Sequence, residues 1–75
     1  MNIEISKKLA KFPNAKILEV GCGRTAILSR NLAEKGFNIT CLDKIVEPSL
    51  THGLPTIRTT FDYRTFDLSD YDIVI

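Results

Sequence analysis

A chain of 75 residues, 44% hydrophobic and 25% charged, supports one small core, because two independent cores need a longer chain. Ten Lys and Arg against nine Asp and Glu leave a formal net charge of +1, which excludes the basic footprint that drives binding to nucleic acid. The chain has no long uncharged apolar run, no basic-then-apolar leader and no paired metal-ligand motif among Cys22, Cys41 and His52, so neither a membrane span, a secretory signal, a zinc site nor a disulfide framework is indicated; a cytoplasmic protein with reduced thiols is expected.

From Met1 to Phe12, Ile5, Leu9 and Phe12 recur at i, i+4 and i+7 with Lys7, Lys8 and Lys11 on other faces, which predicts a covering helix. Pro13-Asn14 ends it. Ala15 to Val20 reads as a strand that runs into Gly21-Cys22-Gly23, where the chain can turn tightly. Thr25 to Lys35 carries Ile27, Leu28, Leu32 and Ala33 at helical spacing, with Gly36 as its stop. Phe37 to Asp43 alternates and then becomes continuously apolar, as a second strand does. Pro48 and Gly53 bracket a helix of one or two turns, with His52 in its last turn. Pro55 to Thr60 reads as a third strand, Phe61 to Asp70 as an acidic, aromatic loop, and Tyr71 to Ile75 as the start of a fourth strand.

Alternating strands and helices predict an α/β fold: a three-layer, Rossmann-like arrangement with a partial doubly wound parallel sheet of three to four strands. The apolar end Tyr71 to Ile75 looks cut in mid-strand, so residues 1–75 are expected to form one incomplete domain. An open strand edge of this kind predicts self-association through the C-terminal strand, or marginal stability.

In such a sheet, ligands lie beyond the carboxyl ends of the strands. The glycine loop stands at one of those ends and opens a helix, whose first amides suit an anionic or polar group. Asp43 follows Gly23 by twenty residues, at the end of the second strand, where a carboxylate can accept both hydroxyls of a ribose. Two cofactor classes fit. Gly21-x-Gly23-x-x-Ala26 satisfies the loose dinucleotide pattern, but Glu19, two residues before the loop, would repel a pyrophosphate and suits a cofactor with a cationic amino-acid part.

At these residues the chain resembles the class I S-adenosylmethionine-dependent methyltransferases. Ile17-Leu18-Glu19-Val20-Gly21-Cys22-Gly23 looks like their first motif, and Ile39-Thr40-Cys41-Leu42-Asp43 like their second strand with its ribose-binding acid. Tyr71-Asp72-Ile73-Val74-Ile75 resembles the start of their fourth strand. The resemblance implies S-adenosylmethionine as small-molecule cofactor, held by Glu19, Gly21, Cys22, Gly23, Asp43 and Lys44, with Asp62 near the adenine amino group. It places the substrate-facing groups after the fourth strand, so no catalytic residue and no substrate are identified. Thr25 stands where many members of the family have a third glycine; it either crowds the methionine part or caps the helix. Arg24 reads as a solvated loop residue, Cys22 as a loop-packing thiol, and Tyr63, Phe66 and Tyr71 as a shelter for an adenine ring or as packing against the sheet. A nicotinamide dinucleotide domain and a non-catalytic Rossmann-like module remain the alternatives.

Overall fold

A computed structural model describes residues 2–75. Helix α1 spans Asn2–Leu9, strand β1 Lys16–Val20, helix α2 Ile27–Glu34, strand β2 Asn38–Asp43, a 3₁₀ turn Pro48–Leu50, strand β3 Thr56–Arg58 and strand β4 Ile73–Val74. Met1, included in the predicted first helix, lies outside the described residues. Neither α-helix exceeds eight residues, and no described helix is long and apolar enough to cross a membrane.

The four strands form one parallel sheet in the order β3-β2-β1-β4, consistent with a partial Rossmann-like fold. β1 and β2, the longest strands, lie at its centre, in register from Lys16 beside Asn38 to Val20 beside Leu42. β4 is shorter than the predicted strand, yet its ladder runs on to the last residue through Val20 N–H on Ile75 O and Ile75 N–H on Leu18 O, each 2.9 Å.

Side chains alternate across the strands, and this sorts the core into two faces. On one face Ile17 and Ile39 pack with Leu9 of α1 and Leu32 of α2, flanked by Ile5, Leu28 and Ile73. A second cluster of Ala26, Cys41 and Val46 lies toward the glycine loop. On the opposite face Leu18 and Leu42 are equally sealed from solvent. The link from β3 to β4 runs from one edge of the sheet to the other, and a right-handed crossover in that direction passes over this second face. The third layer is therefore the irregular segment 59–72. Its end is pinned at the start of β1, where Lys16 N–H donates to Asp72 Oδ2 at 2.8 Å and the Lys16 ammonium lies 5.2 Å from the centre of the Tyr71 ring.

Four local expectations are corrected. α2 begins at Ile27, because Ala26 adopts a left-handed conformation with φ 50° and occupies the cap position without any side-chain cap; Thr25 caps nothing. Ile27 is exposed, and Ser29 takes the buried position on the stripe that continues to Leu32. His52 lies beyond the 3₁₀ turn rather than in it, in a left-handed conformation with φ 53°, its ring 3.5 Å from the Arg30 guanidinium. Phe12, past the end of α1, is exposed and rims an apolar groove of about 350 Å³ with Ile5, Leu9, Ile73 and Ile75.

Candidate functional site

The chain leaves β1 at Val20 and turns back over the end of β2. Two amides make this turn: Gly21 N–H and Cys22 N–H both donate to Leu42 O, at 2.8 and 3.1 Å. The next donor, Gly23 N–H, reaches Asp43 Oδ2 at 2.8 Å. The loop is thus sewn to the end of β2 by three successive amides. Its course requires positive φ at Gly21 (76°) and Gly23 (81°), which side chains other than glycine resist. A Cβ at either glycine would meet no protein atom within 4 Å, so the loop presents a bare backbone surface that a ligand can approach closely.

Asp43 does two things at once. Oδ2 accepts from Gly23, while Oδ1 accepts from Ile45 N–H at 3.2 Å. The Gly23 amide and then the Ile45 amide hold its carboxyl below the usual carboxylate range, so it is ionised at neutral pH. A carboxylate has about four acceptor sites, which leaves capacity for a diol.

Glu19 stands on the same face of β1 as Ile17, beside Cys41 of β2. It is a buried carboxylate, and such groups require partners. The partner is Ser29 on α2, whose fully buried hydroxyl donates to Oε1 at 2.5 Å. Glu19 and Asp43 lie on adjacent strands two residues apart in register, a Cα separation on the order of 8 Å from strand rise and spacing.

Gly21, Asp43 and Lys44 share a hollow of about 140 Å³ with Val20, Leu42, Thr59, Thr60 and Phe61. This is smaller than a complete small-molecule site, typically about 300 Å³ or more, so it accommodates part of a ligand. Cys22 turns the other way, into the Ala26, Cys41 and Val46 cluster; burial, then the neighbouring Cys41 thiol, pushes its pKa up to about 12. Both cysteines are free. Arg24 is exposed. Asp62 spends its carboxylate on its own loop, binding the Arg64 guanidinium through both oxygens at 3.1 Å and the Arg64 amide at 2.9 Å.

Among the aromatics, Phe61 lines the hollow and packs against Phe66 with ring centres 5.6 Å apart. Tyr63 is exposed, and Tyr71 sits at the far end of β1 over Lys16. Phe61 and Ser29 join the site only in the folded chain. Phe61 follows the third strand directly, as a wall at a strand's carboxyl end does; Ser29 is three residues before Leu32 on the helix stripe that faces β1.

Among known proteins, the chain is similar to a ubiquinone biosynthesis O-methyltransferase of Hydrogenovibrio crunogenus, with 37% identity over 75 residues that take in 95% of this chain and 30% of that relative. No protein-family model matches the chain, and no solved structure matches it significantly. The chain spans less than a third of the length of the relative it matches, and what it resembles is a piece of a methyltransferase.

Proposed function

We propose that these residues form the S-adenosylmethionine-binding part of a methyltransferase. The observation that carries this reading is the paired arrangement of Glu19 and Asp43 around a glycine loop with an open face. An adenosyl cofactor with an amino-acid tail needs acceptors for a ribose diol and for an ammonium group, and the chain has a carboxylate for each. Asp43 with Lys44 beside it takes the ribose, Gly21, Cys22 and Gly23 offer backbone to the amino-acid part, and Glu19 takes the ammonium. Phe61 walls the adenine side, and Asp62 joins it only by releasing Arg64.

Such a cofactor, when bound, supplies an electrophilic methyl group to a substrate nucleophile. The share of this chain is binding and orientation. The ionised Asp43 accepts without having to lose a proton first, and the bonds that fix the loop spare the cofactor the cost of ordering it. The similarity to an O-methyltransferase agrees with this reading, and a small-molecule cofactor is the partner it implies. A dinucleotide is disfavoured because its pyrophosphate would approach the loop beside the Glu19 carboxylate.

Calorimetric titration with S-adenosylhomocysteine tests the proposal. Saturable heat that disappears in Asp43→Ala is the expected result. Heat from NAD in place of the adenosyl thioether would move the chain to the dinucleotide class. Absence of heat from either, with a folded circular dichroism spectrum, would leave a non-catalytic module.

A further inference from the structure

We infer that Ser29 is a positioning residue that aims the Glu19 carboxylate at a cationic amino group, and so sets the preference of the site for an amino-acid-bearing nucleoside. The inference rests on the S-adenosylmethionine reading above. Ser29 is fully buried, on a helix stripe whose next member, Leu32, is an ordinary core residue. A serine in such a place gains nothing from burial unless its hydroxyl is used. Its use is Glu19: the hydroxyl donates to Oε1.

Only one oxygen of Glu19 is taken in this way. Among the described residues no buried side-chain oxygen or nitrogen lacks a partner, so Oε2, which no protein donor meets, is the atom that reaches solvent. Along the same row Ile17, Ile39 and Cys41 are sealed, whereas Cys22 and Gly23 of the loop are only half-buried. The side left open to this oxygen is that of the glycine loop, where the Glu19 charge also acts on the Cys22 thiol. A carboxylate with one oxygen clamped from behind and the other free in front is a directed acceptor for a compact cation. Without the clamp, a glutamate side chain has three torsions to fix at binding, and its direction is lost.

The test compares S-adenosylhomocysteine with its deamino analogue, in which hydrogen replaces the ammonium group, by calorimetry on the intact chain. The unaltered protein prefers the ammonium-bearing ligand; Ser29→Ala lowers that preference about ten-fold, the scale of one hydrogen bond to a charged group, while affinity for the deamino analogue stays within about two-fold. Ser29→Cys, close to serine in size and a weak donor, gives the same loss of preference and covers the case in which the alanine leaves a cavity that unfolds the chain. A preference that both variants retain would overturn the inference while leaving the cofactor reading in place. Equal affinity of the unaltered protein for the two ligands would also overturn it. Failure to bind either nucleoside would remove the cofactor reading, and the inference with it.

Discussion

The loop end of β1 and the open edge at β4 belong to the same sheet but are held in different ways. At the loop end, named polar bonds fix the geometry: three amides on β2, one carboxylate bridging Gly23 and Ile45, and a serine clamped on a glutamate. At the β4 edge the chain pairs on one side only, and the groove between α1 and β4 is lined by Ile5, Leu9, Phe12, Ile73 and Ile75 together with Lys8. Apolar contact is non-directional. Directional bonds are needed where a ligand must be oriented, and they are concentrated at the end of the sheet where α/β proteins bind ligands.

The sharpest expected contrast is chemical. With its pKa pushed up to about 12, Cys22 is far less ionised at pH 8 than an ordinary cysteine, and its alkylation by iodoacetamide should be slower by about ten-fold or more. Ordinary reactivity of Cys22, read by peptide mass spectrometry, would mean that the loop does not pack on Cys41.

Core packing gives the next largest effect. Ile17→Ala removes a fully buried side chain from the centre of the sheet and should cost about 2–5 kcal/mol in urea unfolding. Val74→Ala on the exposed edge should cost less than about 1 kcal/mol. Equal costs would erase the distinction between the two regions. A smaller change is expected from Gly23→Ala, where a side chain is forced to φ 81°; about 1–2 kcal/mol is lost, visible as a lower melting temperature. No loss there would show that the loop readily takes another course.

The effects of pH have opposite signs for the two titrating groups of the loop. Asp43 is held below its ordinary value of 3.8, so its contribution to stability is present above that value and is lost as pH falls through its native pKa. Cys22 is raised, so its contribution is complete below about 9 and fades as pH climbs toward 12. Protection of the Gly23 amide against exchange, followed by NMR, should fall on acidification as Asp43 is protonated and becomes a weaker acceptor. An exchange rate at Gly23 that follows only the intrinsic pH dependence would contradict the Asp43 bridge.

Most of the fold was legible in the sequence because its signals are local. Glycines past the strand and helix ends, the proline that opens the 3₁₀ turn and the apolar strands placed every element to within a few residues. The loop character of 61–70 was legible as well, from its Asp, Ser and Thr content; that this loop covers Leu18 and Leu42 was not, since it follows from the order of the strands, which is a tertiary matter. At the site, Glu19, the two glycines and Asp43 stood out by spacing along the chain. Ser29 did not, because its meaning comes from facing Glu19 across a helix–sheet contact, and its polarity disguises a buried position. The resemblance implied that Asp62 lies near an adenine amino group, and only the folded loop shows Arg64 taking both of its oxygens.

We place the ligand-binding end of the molecule at the carboxyl ends of β1 and β2. NMR titration of the ¹⁵N-labelled chain with S-adenosylhomocysteine checks this placement residue by residue. Shifts concentrated at Glu19, Gly21, Gly23, Asp43, Lys44 and Phe61 are the predicted result. Shifts confined to the groove between α1 and β4, or no shifts at saturating ligand, would contradict it.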